Sequence, residues 1–456
     1  MNSTSFFDLV ASITERGRDL LARRLTAIDP EHNAKSLIEL CEALLSERGE
    51  ASGLAQAAEI LERYLSLDEA ERIALFTAFA EKFGPNRERL TKAAKAWLAD
   101  PQHADAGDLH YYSESVRQEL FRRLNRAPGG THALVGMRAD LITLLPQNKH
   151  LTPVDRDLAH LLAVWFNRGF LVLHRIDWST PAIVLEKIIR YEAVHAIHDW
   201  ADLRRRIDSL DRRCYGFFHP ALIDEPLIFV EVALTEKMPA AIGPLLAEDR
   251  TVVPLEKART AVFYSISTCQ RGLAGISFGN FLIKQVVEEL RRELPNLTTF
   301  VTLSPVPGFM QWLQTAENLP LTEEQRAILP SLKEPNWTEK PEEAEQLQKV
   351  IEPLAAYYFL KIKRPDGRPR DPVARFHLGN GARLEQIRWL GDRSPRSLSE
   401  GAGLMVNYLY DLDDIEKNHE AFVKTGEIIT SSAIKKLLKS DPKPRPSTAA
   451  LPQPRG

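Results

Sequence analysis

Hydrophobic positions along the first third of the chain recur at helical spacing. Leu37, Leu40, Cys41, Leu44 and Leu45 form one stripe, and Ala57, Ile60, Leu61, Tyr64 and Leu65 form another. Gly84-Pro85-Asn86 breaks one helix, and the next runs over 87–98. Residues 117–124 and 135–145 continue the pattern, with Pro128-Gly129-Gly130 as the turn between them. No long alternating segment occurs before about Gly169, and no sequence repeat stands out. The spacing predicts a first third built of helices.

The pattern changes near Gly169. Segments 170–176, 214–219, 227–234 and 261–267 are rich in β-branched and aromatic residues and read as strands. Segments 181–190 and 203–210 read as helices between them. A glycine-rich loop follows, formed by Gly272, Leu273, Ala274, Gly275, Ile276, Ser277, Phe278, Gly279 and Asn280. The next helix is strongly amphipathic, with Leu282, Ile283, Val286, Val287 and Leu290 on one face and Glu288, Glu289, Arg291 and Arg292 on the other. Residues 300–303 read as the following strand, 341–360 as a helix, and 386–390 and 404–410 as strands. From Asp441 the last 16 residues hold five prolines and no apolar periodicity, which predicts a disordered tail.

Composition narrows the class. A chain of 456 residues suggests two or three domains at roughly 150 residues each. Lys+Arg total 59 and Asp+Glu 62, so the net charge is 59 − 62 = −3, against the basic excess of a nucleic-acid binder. At 44% hydrophobic residues the chain has enough apolar surface for a sizeable core, which excludes disorder over most of its length. Cys41, Cys214 and Cys269 are too few for a disulfide framework, and no CxxC signals zinc or redox chemistry. The most apolar stretch, 158–173, contains His160, Asn167 and Arg168 and falls short of the ~18 uncharged residues of a membrane span. The first eight residues lack a basic region leading into an apolar core. A soluble, reduced, cytoplasmic protein is expected.

Candidate chemistry gathers in the second half. In the loop at 272–280, glycines let backbone N–H groups approach an anion, and the following helix start adds unpaired donors. A phosphate or pyrophosphate would suit it, and an ordinary glycine-rich turn is the alternative. It is neither a Walker A loop nor a GxGxxG fingerprint. It contains a formal GxSxG at Gly275–Gly279, with Ser277 as nucleophile and His377 and Asp371 as partners. The strand that such an elbow needs, running directly into the serine, is missing. Ser304 follows a strand and is fixed by Pro305 and Pro307, so it points into a cleft or caps a following helix. His377 precedes a turn-rich stretch. His195 and His198 lie at i, i+3 but lack further ligands, so no metal site is expected. Arg204-Arg205-Arg206 and Arg368-Pro369-Arg370 read as solvated surface, with an anionic ligand or a neighbouring subunit as the alternative.

Several of these blocks, in order, resemble the malonyl-CoA decarboxylase family. The resemblance begins at Tyr111-Tyr112-Ser113 and Val135-Gly136-Met137-Arg138. It runs through Cys214-Tyr215, Val232-Ala233-Leu234-Thr235, Phe263-Tyr264-Ser265-Ile266-Ser267 and Gln270 into Gly272-Leu273-Ala274-Gly275. Phe281-Leu282-Ile283-Lys284 and Leu303-Ser304-Pro305-Val306-Pro307-Gly308-Phe309 follow. His377-Leu378-Gly379-Asn380-Gly381-Ala382 and Gly403-Leu404-Met405-Val406-Asn407-Tyr408 complete it, so that roughly residues 110 to 415 are covered.

The resemblance implies an N-terminal all-helical bundle followed by a GNAT-like (acyl-CoA N-acyltransferase) mixed sheet flanked by helices. The expected division is a helical packing or oligomerisation domain over 1–165, a catalytic domain over 166–440, and the tail over 441–456. The implied activity is decarboxylation of malonyl-CoA to acetyl-CoA and CO2. Ala274 to Asn280 would form the acyl-CoA segment, and Ser304 and His377 would be catalytic and bind substrate. Asn407, Tyr408 and Tyr410 would line the pocket. The loop departs from the usual acyltransferase pattern, because Gln270 is followed three residues later by Leu273. No cofactor is expected, coenzyme A being part of the substrate, nor any nucleic-acid or membrane partner. A homo-oligomer, a tetramer, is implied. The peroxisomal Ser-Lys-Leu type of ending is not seen in Gln453-Pro454-Arg455-Gly456. An acyltransferase that moves an acyl group from coenzyme A to an amine, and a non-catalytic malonyl-CoA sensor, are the rival readings.

Overall fold

The computed structural model of the chain describes residues 33–46, 49–103, 105–276, 282–334 and 336–439. Ser277, Phe278, Gly279 and Asn280, and the proline-rich tail, lie outside the described residues.

Helices fill the first third, as the spacing predicts. They span Asn33–Ser46, Glu50–Leu65, Glu69–Glu81, Arg87–Ala99, Ala106–Ser113, Val116–Asn125, Gly130–Leu144 and Thr152–Trp165. Their starts are set by local chemistry. Asp68 and Glu71 form a reciprocal capping box, and Asn86 accepts from the Arg89 N–H just beyond the Gly84-Pro85 break. The predicted stripes meet in one core, where Leu37, Leu40, Cys41, Leu44, Ile60, Leu61 and Tyr64 pack with Phe76, Phe79, Phe121 and Leu134. Among the described residues no helix is long and apolar enough to cross a membrane.

The second part is built on an eight-stranded mixed sheet. Its strands are β1 (Val172–Ile176), β2 (Arg212–Phe218), β3 (Pro226–Thr235), β4 (Thr260–Thr268), β5 (Thr299–Thr302), β6 (Ser304–Pro305), β7 (Arg383–Arg388) and β8 (Met405–Leu409). The order is β1-β2-β3-β4-β5-β8-β6, with β7 on β8. β3 is apolar along nearly its whole length and buried over its first nine residues, as befits a strand covered on both faces. β4 and β5 run parallel, Phe263 opposite Thr302, and the amphipathic helix Leu282–Glu293 connects them. All five apolar residues predicted for that helix's inner face are buried. β5 and β6 lie in sequence along β8, which pairs antiparallel with both. This helical unit followed by a mixed sheet flanked by helices is the fold class expected from the sequence.

Contacts divide the chain into two compact units that are interleaved in sequence. One comprises 1–172, 217–227 and 268–278; the other comprises 173–216, 228–267 and 279–456. One expectation needs correction. Arg206 is not solvated surface: it is buried, donates to the carbonyls of His195 and Ala196, and pairs with Asp202 and Glu231. Arg204, in contrast, is exposed. His195 and His198 lie between the helices Ala182–Tyr191 and Trp200–Ile207, not on one helical face. Among the described residues no group of three metal-ligating side chains occurs.

Candidate active site

The glycine loop and the Ser304–His377 pair belong to different compact units, so each is built separately. β4 ends at Thr268, and a short 3-10 turn, Arg271–Leu273, opens the loop. Arg138, from the helix Gly130–Leu144, donates to the carbonyls of Gly272 at 2.7 Å and Ala274 at 3.0 Å. The loop's first glycine is needed for packing: a Cβ on Gly272 would sit 1.9 Å from the Val135 carbonyl oxygen. Gly275 has φ +78° and open space around it, so its requirement is conformational. Ala274 and Gly275 are exposed and Ile276 is half-buried.

Ser304 owes its place to the break between β5 and β6. Thr302 and Leu303 end one ladder, and Ser304 pairs with Val406 at the start of the next. It is not a helix cap, because Gly308 occupies that position for the helix Phe309–Thr315. The Ser304 side chain turns inward and is 6% exposed.

His377 is delivered by a short helix that hydrophobic spacing did not reveal, Pro372–Gly379. Asp371 caps it by accepting from the Ala374 N–H at 2.7 Å, and Pro372 fills the first turn. Asn380 and Gly381 end it. Gly381 has φ +82°, and a Cβ there would meet the Ile415 carbonyl at 2.2 Å.

The pair closes across 73 residues of sequence. Ser304 Oγ lies 3.0 Å from His377 Nε2, and Tyr410 Oη lies 2.9 Å from His377 Nδ1. Tyr408 stacks on the imidazole with centroids 4.6 Å apart and planes 23° apart. Both ring nitrogens and one face are therefore engaged. Thr302 Oγ1 is 2.9 Å from Ser304 Oγ. The ring is 3% exposed, and burial pushes its pKa down to about 3, so the imidazole is neutral near pH 7. Burial likewise raises the Tyr408 and Tyr410 phenols well above their ordinary value.

Asp371 stands nearby, with one oxygen capping the helix and the other, Oδ2, buried without a hydrogen-bond partner. Burial raises its pKa to about 6. It does not orient the imidazole as a triad acid would, because Nδ1 is taken by Tyr410. Asn407 points away from the ring: its Nδ2 donates to the Thr302 carbonyl at 2.8 Å, and its Oδ1 accepts from Arg388 Nε at 2.6 Å. Of the predicted residues, Ser304, His377, Tyr408 and Tyr410 thus come together directly. Asn407 braces the strand beneath them. Thr302 was missed, since in sequence it is one more β-branched residue of a strand.

A neutral histidine held against a serine at a strand break is an arrangement suited to acid–base chemistry. Comparison with known proteins narrows it. The family model described as malonyl-CoA decarboxylase C-terminal domain matches residues 169–448, and the one for the N-terminal domain matches 83–166. The chain belongs to the malonyl-CoA decarboxylase family. It is 35% identical to the mitochondrial malonyl-CoA decarboxylase of Anser anser anser over 93% of this chain and 89% of that one. For the Rattus norvegicus protein the figures are 32%, 94% and 92%. Among solved structures, malonyl-CoA decarboxylase from Rhodopseudomonas palustris matches at TM-score 0.86 and 57% identity, over 88% of this chain and 99% of that one. The Agrobacterium vitis enzyme matches at TM-score 0.84 and 53% identity, with the same coverages.

Proposed function

We propose that the chain decarboxylates malonyl-CoA to acetyl-CoA and CO2, with His377 and Ser304 as its catalytic residues. The observation that carries this reading is the buried, hydrogen-bonded Ser304–His377 pair in a chain of this family.

The substrate carries its carboxylate β to a thioester carbonyl. When the C–C bond to the carboxylate breaks, its electron pair flows into that carbonyl. CO2 leaves and a thioester enolate remains. The enolate then takes one proton at its α-carbon, so each turnover consumes one proton. Because the thioester is itself the electron sink, the reaction asks for no metal, biotin or pyridoxal phosphate. It asks for a fixed carboxylate, a hydrogen-bond donor for the enolate oxygen, and a proton donor.

A neutral imidazole suits the last two tasks better than an imidazolium would suit a dry site, since it is a donor that costs no buried charge. His377 passes its Nε2 proton to the enolate carbon as a solvent proton reaches Nδ1 by way of the Tyr410 hydroxyl, so the ring ends the step neutral and one solvent proton is consumed. Ser304 orients the malonyl group and accepts a hydrogen bond from the ring. Ala274 to Asn280 hold the coenzyme A pyrophosphate. Tyr408 fixes the tilt of the ring. The helical first part serves assembly into a homo-oligomer, a tetramer, and the enzyme works in the cytoplasm.

The test follows acetyl-CoA formed from malonyl-CoA with no acceptor present. Ser304→Ala and His377→Ala are each expected to lower kcat by about 10²- to 10⁴-fold. Chelator treatment is expected to leave the parent enzyme's rate unchanged. Folded variants with near-parent turnover would refute the residue assignment. Turnover that appears only when an amine is added would favour the acyltransferase.

A further inference from the structure

Ser304 has one hydroxyl proton and two polar neighbours. Its Oγ lies 2.9 Å from Thr302 Oγ1 on one side and 3.0 Å from His377 Nε2 on the other. A hydroxyl donates once and accepts through its lone pairs. The direction of the whole chain therefore turns on what the Thr302 hydroxyl does.

Thr302 is fully buried, and its hydroxyl is tied to β8. It accepts from the Tyr408 backbone N–H at 3.1 Å and sends its own proton towards the Val406 carbonyl at 3.4 Å. With that proton directed at β8, Thr302 can only accept from Ser304. Ser304 then has no proton left for the ring. Its 3.0 Å contact with Nε2 is a hydrogen bond only if Nε2 carries hydrogen. The far side of the ring agrees, because the Tyr410 phenol finds in Nδ1 an acceptor at 2.9 Å. Hydrogen bonds thus run one way, from Tyr410 through His377 and Ser304 to Thr302 and the backbone of β8.

We infer that Thr302 is a positioning residue that sets the tautomer of His377. By drawing the Ser304 proton to itself, it keeps the single proton of the neutral ring on Nε2, the nitrogen that faces Ser304. The acceptor is anchored from behind, since Asn407 holds the Thr302 carbonyl and Arg388 holds Asn407. Without the threonine hydroxyl, Ser304 would donate to Nε2, and the ring proton would move to Nδ1. The nitrogen that faces the reaction would then offer a lone pair where a donor is needed. This inference rests on the assignment of Ser304 and His377 to catalysis.

The test compares Thr302→Val, which keeps the shape and removes the hydroxyl, with Thr302→Ser, which keeps the hydroxyl. Both are made in the full chain and assayed with malonyl-CoA alone. Thr302→Val should lose about 10- to 100-fold in kcat with KM within about twofold, and Thr302→Ser should stay within about threefold of the parent. In 15N-histidine spectra the parent His377 signal, identified by its loss in His377→Gln, should show hydrogen on Nε2. In Thr302→Val it should show hydrogen on Nδ1. A folded Thr302→Val with parent kcat, or a parent ring protonated on Nδ1, overturns the inference. The parent spectrum decides even if Thr302→Val does not fold. If Ser304→Ala and His377→Ala retain turnover, the catalytic assignment itself fails. If they lose it while Thr302→Val does not, only the role of Thr302 fails.

Discussion

Asp371 and His377, six residues apart on one helix, are shifted by the same burial in opposite senses. The Asp371 carboxyl rises from 3.8 to about 6, and the His377 ring falls from 6.5 to about 3. Both shifts favour the neutral form. The sign of the Asp371 effect on stability follows. Its folded pKa lies above its unfolded value, so the folded state is penalised as pH rises from about 4 to about 6, and the penalty stays in full above that. Asp371→Asn keeps a capping oxygen and removes the charge. It is expected to be more stable than the parent at pH 7.5, by on the order of 2–3 kcal/mol, with the gap narrowing towards pH 5. Thermal melts at the two pH values check this; a variant less stable at both would show that the charge is needed for folding. At this scale the sequence was partly legible. Ser304 and His377 stood out by their places after a strand and before a turn-rich stretch, but their catalytic roles came only from resemblance to a family, and Tyr408 and Tyr410 came with a neighbouring block. Thr302 was opaque: it stands two residues before Ser304, as many strand residues do, and only the pairing with β8 ties its hydroxyl to the Tyr408 N–H and the Val406 carbonyl.

Elements with a strong apolar period were legible, and short ones without it were not. The helix Leu282–Glu293 and the strands β3 and β4 lie where their patterns place them, within a few residues. The helix Pro372–Gly379, which carries the histidine, is eight residues long and is defined by its ends. Its ending Asn380-Gly381 reads in sequence as part of a turn-rich stretch, and its starting Asp371-Pro372 carries a capping signal with no apolar period behind it. The loop at 272–276 shows a second limit. Its glycines look alike in sequence, yet Gly272 meets a carbonyl of a distant helix while Gly275 meets nothing. Gly272→Ala should therefore cost about 1–3 kcal/mol or more through the forced shift of the Val135 backbone. Gly275→Ala should cost only about 1 kcal/mol, from its positive φ. Urea unfolding of the two variants separates the cases, and equal losses would mean that the Val135 backbone yields easily.

At the scale of the molecule, the family models divide near residue 167 and the contacts first divide close by, at 172, but the contact unit does not end there. The helical unit also takes 217–227 and 268–278. A fragment of residues 1–172 would lack the carbonyls of Gly272 and Ala274 that Arg138 binds. It would also lose the Phe166 contact with His219. We expect that fragment, expressed alone, to unfold at lower denaturant and less cooperatively than the same unit in the full chain. Equal midpoints and slopes would show that the two excursions add nothing.

The same interleaving gives the chain a timetable. Residue 278 is made 106 residues after residue 172, the difference of the two unit boundaries. At about 5–20 residues per second on the ribosome, that is a wait of roughly 5–20 s. During it the helices are complete in sequence but short of two of their own segments. Arg138 holds only Asp155, and the face that Gly272 will cover stands open. The first unit to be synthesised is thus not the first that can finish folding, and a slow stretch of translation before residue 278 would prolong that exposure.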